Sequence, residues 1–127
     1  MSSGLPEAET LRSLFPQLRL LAMHGSRARG DAHAASDWDF GYLAEPGFDE
    51  LGLRAALTSV LGTDAVDVVD LARAGAVLRY AVARDGRSLL EQSPGELERF
   101  SLAAIRFWLE VEPILRESHG AILEQLG

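Results

Sequence analysis

Cysteine and lysine are both missing from this sequence of 127 residues, and each absence excludes a class of chemistry. Without cysteine there is no disulfide framework, no thiolate zinc site and no cysteine nucleophile. Without lysine there is neither a Walker-type phosphate loop nor a lysine Schiff base. The twelve cationic side chains are therefore all arginine.

Two larger features are also missing. No apolar stretch approaches the ~20 residues that span a bilayer, and the start of the chain has neither the basic region nor the apolar core of a signal peptide. We therefore expect no membrane association and a cytoplasmic location. With a formal net charge of −7, the sequence shows no basic face for a nucleic-acid backbone. Direct nucleic-acid binding is not expected, and a protein partner suits the acidic charge better.

The spacing of apolar residues predicts an α/β or α+β fold, with a small mixed β-sheet flanked by helices. The length fits a single domain over 1–127, with a core at about 18–91 and a helical tail over 96–126. Pro113 should kink or split that tail. In chain order, the predicted elements are a helix over 7–15, a strand over 18–23, a turn and short helix over 25–35, a strand over 37–43, a helix over 48–61, a strand over 66–71, a helix over 76–84, an edge strand over 87–90 and the helical tail.

Two aspartates one residue apart are the sharpest chemical feature. Asp37 and Asp39 lie in an alternating segment, which predicts a strand with both carboxylates on one face. Like charges that close repel each other, and a divalent cation between them removes the repulsion. The alternative interpretation is a solvent-facing acidic pair, because such a pair alone is a weak motif.

A second motif lies between the first predicted strand and a short helix. Gly25 lets the backbone approach a ligand closely, and Ser26 at a helix N-terminus suits a phosphate group. Arg27 and Arg29 follow, and both are candidates to neutralise a triphosphate. The alternative interpretation is a plain turn with a helix cap and solvated arginines.

A third carboxylate comes from Asp67 or from Asp70. Asp67 lies among valines, where an unpaired charge would be costly unless it binds a metal ion. Asp70 lies at the strand end, where a cap or turn role costs little. We therefore predict Asp67 as the third metal ligand.

The histidines and the aromatic residues of the tail carry weaker signals. His24, at the end of a strand, is interpreted as structural, and His33 and His119 belong to no recognisable pattern. Phe107 and Trp108 are either core residues or part of a partner-binding face, and the pattern leaves both open.

Taken together, these motifs resemble the DNA polymerase β nucleotidyltransferase superfamily. The Gly-Ser pair at 25–26, ten intervening residues and the Asp-Trp-Asp at 37–39 are similar to its signature. The residues around both motifs, 25–30 and 36–40, together with 66–71, more closely resemble the minimal nucleotidyltransferase branch. The resemblance covers about 18–91, and it departs from the family at Trp38, where an aliphatic residue is expected.

This resemblance implies a polymerase β-like nucleotidyltransferase fold and magnesium-dependent transfer of AMP from ATP. It implies that Asp37, Asp39 and Asp67 hold two magnesium ions, while Gly25 and Ser26 hold the β and γ phosphates. Members of this branch are often antitoxins that adenylylate a tyrosine of a HEPN-type ribonuclease toxin encoded next to them. A hetero-oligomer with such a toxin is therefore expected.

Two other hypotheses remain open. In the first, the acceptor is a small molecule such as an aminoglycoside, although so short a chain leaves no second domain to form an acceptor pocket. In the second, the chain is a non-catalytic subunit that neutralises its partner by contact alone, although all three carboxylates are intact.

Overall fold

The structure, a computed structural model, describes residues 4–126, with side chains described for residues 4–118. Every predicted helix and strand is present, although the short helix after Gly25 is only one turn long. In chain order the elements are α1 (Ala8–Leu14), β1 (Leu18–His24), α2 (Ser26–Arg29), β2 (Trp38–Ala44), α3 (Glu50–Leu61), β3 (Val66–Asp70), α4 (Ala76–Asp85), β4 (Arg87–Glu91) and α5 (Glu96–Leu126).

The four strands form one mixed sheet in the order β3-β2-β1-β4. β1 is antiparallel to both β2 and β4, whereas β2 and β3 are parallel. A parallel pair needs a crossover, and here α3 supplies it. Asp49 caps the start of α3 by accepting a hydrogen bond from the Gly52 N–H, and Gly62 ends it in the left-handed conformation. The predicted small mixed sheet with flanking helices is therefore confirmed.

Apolar residues cover both faces of the sheet, because alternate residues of each strand point to opposite sides. Phe40 and Tyr42 of β2 face α1 and α3, whereas Asp39 and Gly41 face α4 and α5. At Gly41 a side chain would overlap the fully buried Leu71. The first core comprises Leu11, Leu18, Leu21, Met23, Ala28, Phe40, Tyr42, Leu53, Leu57, Val66, Val68 and Leu90. The second comprises Leu20, Ala22, Leu71 and Val82, with Leu43, Val69, Leu78, Leu97 and Phe100 packed against it.

The long helix α5 lies along α4. Ala104 is buried there, and Trp108 stacks on Tyr80 with ring centroids 4.8 Å apart. Phe107 keeps 37% of its surface exposed, so of the two aromatic residues left open by the sequence, Trp108 is the one that packs against α4.

Pro113 lies inside α5, which runs without interruption from Glu96 to Leu126. Of the two predicted outcomes, a kink or a split, the split is therefore wrong. Proline removes one backbone donor and leaves the carbonyl of Leu109 without its helical partner. Leu109 is 68% exposed, so water can satisfy that carbonyl. Within the part of the chain that the structure describes, no helix is long and apolar enough to cross a membrane.

Candidate functional site

The site is built on the parallel pair of strands. Asp39 is the second residue of β2, Asp67 is the second residue of β3, and the two are register partners. Adjacent strands lie about 4.8 Å apart, and partners in register point to the same face. Asp37 lies one residue before β2, so it approaches from the preceding loop and is not a strand residue as predicted.

The three carboxylates form one electrostatic cluster around the half-buried Asp39. Burial is the main cause that raises the pKa of Asp39, and the neighbouring charges of Asp67 and Asp37 raise that pKa further. His24 and Arg29 act in the opposite direction. The repulsion that we inferred from the sequence is therefore present at Asp39, where a cation would relieve it.

Asp67 is not the buried charge that its valine neighbours predict. Asp67 is exposed, because β3 is an edge strand, so the expected cost of burying its charge does not exist. What distinguishes Asp67 is its place beside Asp39. Asp70 has the predicted turn role, since its Oδ1 accepts a hydrogen bond of 3.0 Å from the Ala72 N–H, and its Oδ2 lies 3.7 Å from the guanidinium of Arg73.

The turn at Gly25 lies directly against the carboxylate of Asp39. Gly25 has φ 76° and ψ −161°, a conformation that favours glycine. A Cβ at this position would overlap Oδ2 of Asp39. Ser26 then begins α2, whose first backbone N–H groups have no acceptor within the helix. The Gly25-Ser26 turn, predicted to bind phosphate, therefore lies next to Asp39, predicted to bind metal.

Arg27 holds the loop that leads into β2. Its Nε and Nη2 donate hydrogen bonds of 3.2 and 2.9 Å to the carbonyl of Ser36. Its guanidinium carbon lies 4.0 Å from the centre of a Trp38 ring. Because Ser36 immediately precedes Asp37, Arg27 fixes the approach of that carboxylate.

Arg29 lies at the rim of the same cluster. It forms ion pairs with Asp31 at 3.2 Å and with Asp85 at 3.5 Å. The Asp85 side chain is only 10% exposed, and Nη2 of Arg84 lies 2.8 Å from the same oxygen, Oδ2, that Arg29 contacts. The hydrogen bond from Arg84 is the main cause that lowers the pKa of Asp85. Sequence reasoning missed Asp85, because only the approach of α4 to α2 connects it to the site.

His24 also belongs to the site. It is the register partner of Asp39 on β1, and it is 8% exposed. Burial lowers its pKa, while the charge of Asp39 acts in the opposite direction. His33 lies exposed in the loop before β2, where its Nδ1 accepts a hydrogen bond from the Ala35 N–H. His119 lies outside the residues whose side chains are described.

A magnesium ion suits this donor set. Among the described side chains, no group of three or more His, Asp or Glu is gathered closely enough to hold a metal ion by itself. Magnesium does not require such a cage, because it commonly takes one or two carboxylates and completes its shell with water and substrate phosphates. The paired carboxylates of Asp39 and Asp67, next to the turn at Gly25, are a donor set of that kind.

Known proteins are similar to this chain in sequence and in fold. The chain is 29% identical over 133 residues to the protein adenylyltransferase MntA of Aphanizomenon flos-aquae, covering 90% of this chain and 89% of the relative. A chain in the crystal structure of a toxin-antitoxin with AMP-PNP superposes with a TM-score of 0.70 at 30% identity, covering 93% of each chain. A chain in the structure of the tri-AMPylated Shewanella oneidensis HEPN toxin in complex with MNT antitoxin gives 0.64 at 28% identity, covering 93% of this chain and 90% of the other.

The family model for polymerase beta nucleotidyltransferases matches residues 8–95. That range holds β1 to β4, the turn at Gly25 and all three candidate carboxylates. The predicted polymerase β-like fold is thereby confirmed, and the chain belongs to the polymerase beta nucleotidyltransferase family.

Proposed function

We propose that the protein is an ATP-dependent, magnesium-dependent adenylyltransferase that transfers AMP to a tyrosine hydroxyl of a HEPN-type toxin and thereby acts as its antitoxin. A relative aligned over most of both chains is a protein adenylyltransferase. Similar folds come from a toxin-antitoxin structure with AMP-PNP and from a complex with a tri-AMPylated HEPN toxin. In this proposal 1–127 is one nucleotidyltransferase domain with a core at 18–91 and a helical tail at 96–126, and it acts in the cytoplasm in complex with the toxin.

One observation carries the proposal. Gly25 has no side chain at the point where the turn meets Oδ2 of Asp39. A triphosphate seated on the Gly25-Ser26 turn would thus have its phosphates next to the carboxylates of Asp39 and Asp67. This juxtaposition of a phosphate turn and paired carboxylates suits nucleotide transfer better than binding alone.

The chain's own residues would divide the work as follows. Asp37, Asp39 and Asp67 would hold two magnesium ions, which supply charge neutralisation and a lower pKa for the attacking hydroxyl. Gly25 and Ser26 would hold the β and γ phosphates through backbone N–H groups and the serine hydroxyl. Catalysis would then be mainly positioning and electrostatic stabilisation.

The reaction itself is a substitution at the α phosphorus. The tyrosine oxygen forms a bond to that phosphorus, the bond between the α phosphorus and the bridging oxygen breaks, and pyrophosphate leaves. Asp67 is the candidate to accept the hydroxyl proton, because it is exposed on an edge strand that an acceptor can reach. Both arginines have partners, since Arg27 donates to the Ser36 carbonyl and Arg29 pairs with Asp31 and Asp85. Arg29 is the more exposed of the two, so it is our candidate to meet the triphosphate.

A protein acceptor is favoured over a small molecule. A small acceptor needs an enclosing pocket beside the carboxylates. None of the three carboxylates lines the cleft of about 490 Å³ that includes Tyr42 and Glu50, the cleft of about 570 Å³ between α4 and α5, or the cleft of about 330 Å³ that includes Arg27 and Trp38. An open site on an edge strand suits an acceptor that arrives on another protein's surface.

The proposal is tested with ATP labelled at either end of its triphosphate. The protein, its HEPN-type neighbour, magnesium and ATP labelled at the α phosphate should yield labelled toxin, whereas label at the γ phosphate should appear only in pyrophosphate. A variant carrying Asp37→Ala and Asp39→Ala is the control and should label nothing. Label from the γ phosphate on the toxin would mean phosphorylation and would overturn the proposal.

A further inference from the structure

His24 contains a buried nitrogen without a partner. The residue is 8% exposed, and its Nε2 has no hydrogen-bond partner among the described residues. A buried polar atom is normally paired, because leaving it unpaired forfeits its hydrogen bonds to water. A second arrangement of the site, in which Nε2 is paired, would remove this cost.

Asp39 is the acceptor that the geometry favours. It is the register partner of His24 across β1 and β2. His24 continues the alternation of Leu20 and Ala22, so its side chain lies on the sheet face that also carries Asp39. Among the charged groups that shift the pKa of His24, Asp39 has the largest effect. Among those that shift the pKa of Asp39, His24 has the largest effect.

The other nearby carboxylates are less suited. Both oxygens of Asp85 already accept hydrogen bonds from Arg84, and one of them also accepts from Arg29. Of the three aspartates that raise the pKa of His24, Asp67 has the smallest effect. The carboxylate of Asp39, by contrast, accepts no hydrogen bond from the described residues that would compete with Nε2.

We propose that His24 is a positioning residue for Asp39: its Nε2–H donates to one carboxylate oxygen of Asp39 in the nucleotide-bound state and turns the other oxygen towards the metal. The inference rests on the proposed function, because Asp39 is positioned there for nucleotide transfer. Partners of this kind orient metal-binding side chains in many proteins, and their loss typically lowers metal affinity or activity about 10- to 100-fold.

Three substitutions separate positioning from packing. His24→Phe keeps a planar ring and removes both nitrogens. His24→Gln places an amide nitrogen near the position of Nε2, whereas His24→Asn is polar but too short to reach it. The Gln and Asn variants form a matched pair, so the comparison remains informative if the Phe variant folds poorly.

Each variant is measured in three ways. Thermal unfolding reports stability, titration of Mn²⁺ in the presence of AMP-PNP reports metal affinity, and labelling of the toxin reports turnover. We expect His24→Phe to weaken Mn²⁺ binding and turnover about 10- to 100-fold. Its Tm should equal or exceed that of the wild type, because an unpaired buried polar atom has been removed. His24→Gln should recover most of the loss, and His24→Asn should not.

A spectroscopic measurement tests the same bond. In the wild type with magnesium and AMP-PNP, the nitrogen-15 shift of His24 Nε2 should be that of a protonated ring nitrogen. An unprotonated Nε2 in that complex would overturn the proposal. So would equal Mn²⁺ affinity for the Gln and Asn variants, or a His24→Phe variant that loses stability and keeps its metal affinity. If the wild type binds Mn²⁺ and AMP-PNP yet labels no toxin, the proposed function fails, while the order of Mn²⁺ affinities still decides the role of His24.

Discussion

Asp39 on β2 lies directly beside Asp67 on β3, as its register partner on a parallel strand. Neither residue can move far along its strand. The valines on either side of Asp67 belong to the first core, and so does Phe40, which follows Asp39. The two carboxylates are therefore held together by the packing of the opposite face of the sheet. A charge pair held in this way costs stability until a cation binds.

The first prediction concerns that cost. Because burial and nearby carboxylates raise the pKa of Asp39 in the folded state, its ionised form disfavours folding at neutral pH. Without magnesium or nucleotide, Asp39→Asn should raise the Tm at pH 7. The gain should shrink as the pH falls through the raised pKa, and it should vanish below the ordinary value of 3.8, where the wild type is protonated in both states.

Magnesium with AMP-PNP should reverse that order of stability, because only the ionised wild-type carboxylate gains a cation. Thermal melts from pH 4 to pH 8, with and without both ligands, measure the effect. Asp49→Asn is a matched control, since Asn also caps a helix and Asp49 lies at the start of α3. An Asp39→Asn variant that is less stable at pH 7 in the absence of ligand would contradict the repulsion.

The second prediction separates Asp67 from Asp70. Asp67→Asn should abolish AMP transfer while AMP-PNP still binds, because in the proposed mechanism the residue serves the attacking side of the reaction. Asp70→Asn should leave transfer within a few fold, because Asp70 closes a turn with Ala72 and faces Arg73. Initial rates of toxin labelling and calorimetric binding of AMP-PNP measure the two effects. The opposite order of losses would place the third carboxylate at Asp70.

The third prediction compares two glycines. Gly25→Ala should abolish transfer and cost about 1–3 kcal/mol of stability, because the new Cβ overlaps Oδ2 of Asp39. Gly30 also has positive φ, yet a Cβ there would meet nothing within 4 Å. Gly30→Ala should therefore cost about 1–2 kcal/mol for its left-handed backbone and keep its transfer activity. Equal loss of activity in both variants would mean that the backbone of α2, and not the contact with Asp39, matters.

Local patterns predict most of this fold. The apolar run over 18–23 and the alternation over 37–43 predict β1 and β2, and Gly62 ends α3 as its position after an apolar periodic segment predicts. Pro113 does not split α5, because at this exposed position water can satisfy the carbonyl of Leu109 that the proline leaves without a helical partner. The turn at Gly25 could be predicted because glycine and serine at a strand end are a local signal.

The candidate site was harder to predict from the sequence than the fold, because much of it depends on contacts between distant residues. The exposure of Asp67 depends on β3 being the edge strand, which no local pattern indicates. Asp85 approaches Arg29 across 56 positions of the chain. His24 gains its importance from the register of β1 with β2. In each case the relevant neighbour is set by strand order or helix packing.

In the proposed function, chemistry and not contact alone silences the partner. The most direct measurement is toxin ribonuclease activity after incubation with ATP, magnesium and equal concentrations of either the wild type or the variant carrying Asp37→Ala and Asp39→Ala. The wild type should abolish ribonuclease activity and add the mass of AMP to the toxin. The variant should fold, add no mass and leave the toxin active, because loss of these carboxylates should slow transfer roughly a thousandfold or more. Full protection by the variant, with no added mass, would contradict the account and establish neutralisation by contact.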